Sequence, residues 1–310
     1  MKICFIGCSG HAEHTYEEMK TCPGAEFVGM AAGSEHEKPS AVWENRVQKV
    51  YESWETMLEE TKPQVAVVSP VFGYTGKFII ACAKRSIDVF AEKPVAGSFE
   101  ELEAVEKAVC ESGIHFSAMH YLRYEPTFYH ARKLARDGAI GQIRMITAQK
   151  SYKYGTRPSW YADRALFVGT IPWVGMHAFD WLYAFSGKKF LSVNAMHSGN
   201  PEQTALCQFR MEDGVMAAVN IDYCRPAAAP THADDRLRIV GSEGILEVRR
   251  DSYTLITADC VKEYQPEPAP KLAVEFLQKT EDVTAEDALY LTKVALAARE
   301  SADSGKEFVL

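Results

Sequence analysis

The sequence predicts an α/β protein: an N-terminal doubly wound parallel sheet, followed by a C-terminal α+β domain built on a large, open, mostly antiparallel sheet. Strand and helix patterns alternate through the first 120 residues, and a glycine turn follows the first strand. Beyond residue 120 longer segments alternate apolar and polar side chains, as half-buried antiparallel strands do. The expected domains are 1–120 and 121–310. The last helix is able to pack on either.

The elements follow in order. Ile3-Cys4-Phe5-Ile6 is an apolar run ending in glycine, and Ala12, Tyr16 and Met19 then share one helical face. Phe27–Ala32 reads as a second strand, and Ser53 caps a helix over Trp54–Glu60. Val65–Val68, apolar and β-branched, suits a strand buried on both faces. A short helix over Phe78–Lys84 precedes a strand over Ile87–Ala91. Ser98 and Glu101 form a capping box; its helix turns Phe99, Leu102, Val105 and Val109 inward and closes at Gly113. Another helix, Thr127–Arg136, ends at Asp137-Gly138. The alternating segments are Ile143–Lys150, Leu191–His197, Thr204–Arg210, Val215–Asp222, Leu237–Val240 and Ile245–Arg249. Asp213-Gly214 signals a hairpin, and Gly241–Gly244 is a second tight connection. Thr284 announces a final helix over Ala285–Ser301, while Pro226–Pro230 and Pro266–Pro270 read as loops.

Composition narrows the function. The 310 residues carry 34 basic and 42 acidic side chains, a net charge of −8, with no long Lys/Arg run. Nucleic acid is therefore a poor partner. No stretch approaches the ~18 apolar residues of a membrane span, and the N-terminus lacks a signal-peptide pattern, so the expected setting is cytoplasmic. Eight scattered cysteines without a C-x-x-C pair are expected as reduced, buried thiols, and no metal is expected.

Two motifs carry chemistry. In Ile6-Gly7-Cys8-Ser9-Gly10-His11-Ala12 a strand runs through a glycine turn into a helix, presenting backbone N–H groups to a pyrophosphate. Ser9 stands where the usual pattern has its second glycine. The acid expected at the end of the second strand, to bind ribose hydroxyls, is missing or displaced: the place is Ala32-Gly33-Ser34, with Glu35 just beyond. Ser34 with Lys38 nearby would instead receive a 2′-phosphate, which leaves NAD and NADP both open. The second motif, Glu92-Lys93-Pro94, follows directly on the strand Ile87–Ala91. A lysine there can face the crevice at the strand ends, where burial lowers its pKa and makes it a proton shuttle.

With these motifs the chain resembles the Gfo/Idh/MocA family of nicotinamide-dependent sugar and inositol dehydrogenases. The resemblance covers nearly the whole chain. It rests on the N-terminal turn, Glu92-Lys93-Pro94, His120–Pro126, Gly138–Ile143, Gly175–Asp180 with Gly187, Gly241–Gly244 and Ser301–Gly305. It implies a Rossmann domain followed by an α+β domain. The family draws its catalytic groups from the E-K-P lysine and from an Asp-x-x-x-His element with a further Asp three residues on. Lys93 and His177 match the catalytic pair and Asp180 the second aspartate, but Trp173 stands where the first would be. Arg123 falls at a basic position near the substrate, although Tyr121 replaces a common asparagine.

Lys150–Arg164 is dense in Tyr, Trp, Lys and Arg, a mixture suited to stacking on a sugar ring while donating hydrogen bonds. The expected substrate contacts are thus Asp180, Arg123, Lys153, Tyr161 and Trp173, with Arg157 and Trp160 in the same segment. Cofactor contacts are expected at Gly7, Ser9, Gly10, His11, Ala12, Ser34, Ser69, Pro70, Glu92, Lys93 and Trp160. The resemblance implies hydride transfer between NAD or NADP and a secondary alcohol of a sugar, polyol or glycoside, by a homo-dimer or -tetramer. Trp173 keeps two alternatives open: a nucleotide- or sugar-binding regulatory protein without turnover, and redox-assisted elimination or epimerisation with no net change in cofactor.

Overall fold

The computed structural model describes residues 1–199 and 202–310. It divides into two compact units, one of residues 1–119, 163–168 and 270–293, the other of residues 120–162, 169–269 and 294–310.

In the first unit six strands form a wholly parallel sheet: β1 (Lys2–Ile6), β2 (Glu26–Ala31), β3 (Val50–Tyr51), β4 (Val65–Val68), β5 (Asp88–Ala91) and β6 (Phe116–Ala118). Their order is β3-β2-β1-β4-β5-β6. The winding reverses between β1 and β4, where such sheets leave a crevice at their carboxyl ends. Helices α1 (Ala12–Met19), α2 (Trp54–Thr61), α3 (Thr75–Ala83) and α4 (Phe99–Ser112) connect the strands. All four residues of β4 are buried, as a central strand covered on both faces requires.

The caps show how local sequence sets these elements. Ser53 Oγ accepts the Thr56 N–H at 3.2 Å, and Ser98 Oγ accepts the Glu101 N–H at 3.1 Å. The expected capping box does not close, however. The Glu101 carboxylate takes the Gly97 N–H at 2.7 Å instead of the Ser98 amide, and Phe99 is only half-buried. Gly113 ends α4 in the left-handed region at φ +64°. Helix α3 begins at Thr75, three residues before the expected start, because a 3-10 turn over Phe72–Tyr74 leads straight into it.

The chain continues through α5 (Pro126–Arg136), β7 (Ile143–Tyr152), the one-turn α6 (Arg164–Phe167), α7 (Met176–Ser186), β8 (Phe190–Ser198), β9 (Thr204–Met211), β10 (Met216–Asp222), β11 (Ala233–Gly241), β12 (Gly244–Arg249), β13 (Tyr253–Thr257) and β14 (Val261–Tyr264). It ends with α8 (Leu272–Gln278), α9 (Ala285–Ser304) and β15 (Phe308–Val309). Helices α6 and α8 belong to the first unit, and α9 contributes residues to both. The second sheet runs β14-β13-β12-β11-β7-β10-β9-β8-β15. Every neighbouring pair is antiparallel except β7 and β10. On its covered face Ile146, Ala148 and Lys150 of β7 stand opposite Ile239, Leu237 and Asp235 of β11. Met196, Leu206 and Met216 point outward and are exposed.

The sequence patterns miss β3, β6, β13, β14, β15, α6 and α8, and give no bounds for α7. They also start β11 at Leu237 rather than Ala233, since Asp234, Asp235 and Arg236 interrupt its apolar run. The cysteines need correction too. Cys4, Cys82 and Cys207 are buried, but Cys110, Cys224 and Cys260 are exposed. Among the described residues no cluster of His, Cys, Asp or Glu is placed to hold a metal ion, and no helix is long and apolar enough to cross a membrane.

Candidate active site

In the first unit the turn after β1 is shaped by close approach. Gly7 has φ +87°, and a Cβ there would lie 2.3 Å from Pro70 Cα. Gly10 has φ +53°, and its Cβ would meet Glu92 Oε2 at 2.0 Å. Ser69 holds the turn from β4: its carbonyl accepts the Ser9 N–H at 2.9 Å, and its hydroxyl donates to the Ser9 carbonyl at 2.6 Å. The turn then opens α1 at Ala12, with no side chain capping that helix.

Two carboxylates occupy the amides of this turn. Glu92 Oε2 accepts the His11 N–H at 2.7 Å and contacts His11 Nδ1 at 2.8 Å, while Oε1 accepts the Lys93 N–H at 2.9 Å. Desolvation would raise the pKa of Glu92, but the attraction of His11 and Lys93 and the bonds from His11 hold it below its ordinary value. Glu37 Oε1 accepts the Cys8 N–H at 2.9 Å and the Ser9 hydroxyl at 2.7 Å; its Oε2 takes the Gly33 N–H at 3.0 Å. Burial outweighs these bonds and pushes Glu37 upward. Glu37 is thus the displaced acid, six residues beyond the end of β2, where the sequence offered only Glu35. Ser34 caps the same loop by accepting the His36 N–H at 3.3 Å.

These residues fit the nicotinamide dinucleotide that the fold implies. The strand, glycine turn and helix N-terminus have the geometry that receives a pyrophosphate, and Gly7 and Gly10 permit its close approaches, while Glu37 and Glu92 hold the Cys8 and His11 amides. Lys93 lies directly behind them, 1% exposed, with a cis bond to Pro94. It is no solvated loop charge.

In the second unit α7 carries His177, Asp180 and Trp181, all buried. A π-helical turn over Ile171–Gly175 leads into it; such turns recur at functional sites. Gly175 packs closely there: a Cβ would sit 2.6 Å from Ile221 Cδ1 and 3.1 Å from Phe179 Cζ, so those side chains would have to shift. Arg123, 4% exposed, pairs with Asp180, 1% exposed: Nε donates to Oδ1 at 2.9 Å, and Nη2 contacts the same oxygen. His120 Nδ1 stands 3.8 Å from that oxygen. The two residues expected to hold substrate hydroxyls therefore hold each other. The Trp181 indole N–H donates to the Leu122 carbonyl at 3.1 Å and ties α7 to this corner.

Behind α7, Lys150 Nζ lies 4.6 Å from the Trp181 ring centroid and donates to Asp235 Oδ1 at 2.5 Å. Burial pushes Lys150 down to about 8 against the pull of Asp235, and Arg250 holds the other Asp235 oxygen at 2.8 Å.

The remaining expected contacts divide. The Lys153 ammonium donates to the Ala227 and Ala229 carbonyls at 2.8 and 2.5 Å, which makes it a clasp on the 226–230 loop. Trp160 and Tyr161 stack on each other with centroids 4.4 Å apart. Trp173, half-buried, donates its indole N–H to the Tyr223 hydroxyl. Glu37 and Tyr223 are residues that the sequence did not single out, and His120 entered there only as the start of the motif His120–Pro126. Glu37 left a signal, an acid shortly after the second strand.

Residues 1–120 match the oxidoreductase family with an NAD-binding Rossmann fold, and residues 128–247 match the GFO/IDH/MocA C-terminal domain. A Thermotoga maritima structure, provisionally described as an oxidoreductase, is 41% identical over the whole of both chains, with a TM-score of 0.95. The NAD(+)-dependent scyllo-inositol 2-dehydrogenase of Bacillus subtilis (strain 168) is 23% identical over 94% of this chain and 91% of its own. The NADP(+)-dependent scyllo-inositol 2-dehydrogenase IolW of the same organism is 24% identical over 55% of this chain, a match spanning 49% of its own length.

Proposed function

Because this chain belongs to the Gfo/Idh/MocA family of oxidoreductases, we propose that it transfers hydride between a nicotinamide cofactor and a secondary alcohol of a sugar, polyol or glycoside. The observation that supports the reading is Lys93, buried at the carboxyl end of β5 behind the Gly7–Ala12 turn, in which Gly7 and Gly10 have positive φ. The Gly7–Ala12 turn, with Ser69 and Pro70 beneath it, receives the pyrophosphate. When bound, the cofactor supplies the hydride acceptor or donor. Lys93 or His177 takes and returns the proton of the reacting hydroxyl. Asp180, fixed by Arg123, keeps the His177 helix in register with the corner at His120. Glu92 acts through others, since its contacts shape the turn and the Lys93 backbone.

Glu37 supports a preference for NAD. A carboxylate beside the turn accepts bonds from a ribose diol and repels a 2′-phosphate. Nicotinamide reduction with NAD and NADP across a panel of polyols, sugars and glycosides tests the function. Lys93→Ala is expected to lower kcat at least about 100-fold; turnover undiminished by that substitution would remove Lys93 from its role.

A further inference from the structure

At one end of the second sheet a guanidinium lies among aromatic rings with no acid to meet it. Arg157 Cζ stands 5.3 Å from the Tyr161 ring centroid and 5.3 Å from that of Tyr223. Tyr154 packs edge-on against Tyr223 at 5.5 Å. Arg157 Nη2 makes one long bond, to the Lys153 carbonyl at 3.4 Å. Its Nε is shut off from solvent and has no acceptor. The neighbouring acids are committed elsewhere: Asp234 to Arg236 and Arg225, Asp235 to Lys150 and Arg250. Among the described residues Arg157 has no carboxylate partner. The local field is correspondingly positive: beyond the dominant effect of burial, Arg157, Lys153 and Arg250 all push His232 down.

Such a guanidinium is costly to keep unless something anionic completes it. Trp173 points the same way. A carboxylate four residues before His177 would repel an anionic substrate; here that position is a neutral indole. Its N–H already satisfies the Tyr223 oxygen, which leaves the Tyr223 O–H to donate onward.

We propose that Arg157 and Tyr223, walled by Tyr161 and Trp173, bind a carboxylate carried by the polyhydroxylated substrate, so that this chain acts on sugar acids in preference to neutral sugars. The inference rests on the reading of the second unit as the substrate side. A monoanion is specified because one guanidinium is available. The Lys153 ammonium adds to the positive field but gives its hydrogen bonds to the Ala227 and Ala229 carbonyls, so Arg157 is the group left to bond an anion directly. Arg and Tyr donors against aromatic walls give a carboxylate short, charge-assisted bonds where water is excluded.

Quenching of tryptophan fluorescence reads the binding directly, in the full-length protein with and without NADH. The probes are D-gluconate and D-galacturonate, their neutral counterparts D-glucitol and D-galactose, and D-glucose 6-phosphate. The acids are expected to bind at least about tenfold more tightly than the neutral compounds. Arg157→Gln should bring them down to the neutral level, and Tyr223→Phe, which removes only a hydroxyl, should cost the acids several-fold. Equal affinity for acid and neutral probes, a preference that survives Arg157→Gln in a folded protein, or tightest binding of the phosphate would each overturn the proposal. Failure of NADH to bind the wild type would strike the hydride-transfer reading instead, leaving the carboxylate preference to be judged by itself.

Discussion

The nucleotide turn of the first unit and the α7 corner of the second solve opposite problems. The turn is made of main chain. Its amides at Cys8 and His11 are held by two carboxylates, Glu37 and Glu92, which come from the loops after β2 and β5. The α7 corner is made of side chains, with Arg123 against Asp180 and Lys150 against Asp235 deep in the unit. A main-chain site survives the loss of a side chain because its donors remain. A site of buried opposite charges does not, because the partner left behind is stranded.

The comparison is tested most severely at Arg123. Arg123→Met takes the guanidinium from the buried Asp180 carboxylate and is expected to cost about 3–5 kcal/mol in urea unfolding. A loss below about 1 kcal/mol would mean that the corner is not held by its charges.

Lys150→Met comes next, at about 2–3 kcal/mol, since Arg250 still serves Asp235. It also carries a pH signature. The folded Lys150 sits at about 8, below its ordinary 10.5, so between those values the unfolded chain holds more protons. Wild-type stability therefore gains from this group as pH rises through that window. Unfolding curves at either end of the window should show the gain in wild type and its absence in Lys150→Met.

The smallest effect belongs to the turn. Glu37→Gln should move stability by less than about 1 kcal/mol. The same substitution should shift the ratio of NADPH to NADH dissociation constants about tenfold toward NADPH, or ~1.4 kcal/mol. Nicotinamide fluorescence titration reads both constants. An unchanged ratio would separate Glu37 from cofactor choice.

What was legible in the sequence follows the same division. The turn could be read because glycine spacing reports backbone geometry directly, and Ser53, Ser98 and Gly113 announced their helix ends for the same reason. Six of the nine strands of the second sheet, β7–β12, could be read from alternation alone; β13, β14 and β15 could not. The pairing of Arg123 with Asp180 could not, because no local rule ties residues 57 positions apart. Lys150 and Asp235 are adjacent only through the register of β7 on β11. Lys153 looked like a sugar contact from its aromatic neighbours, yet the proline-flanked loop 74 to 76 residues later claims it. Glu37 lay just past the window in which an acid was sought.

The position of β7 also bears on how this protein is made. It lies in the middle of its sheet, yet both of its neighbours, β10 and β11, come later in the chain. As a nascent chain leaves the ribosome, β7 waits with two open edges until residues 216–241 have followed. The six strands of the first sheet, by contrast, have all emerged by residue 118. Loop closure over such separations is slow, and an open edge invites pairing with another unfinished copy. Assembly is therefore paced by the strand synthesised first and completed last, and that interval is when crowding and chaperones matter most.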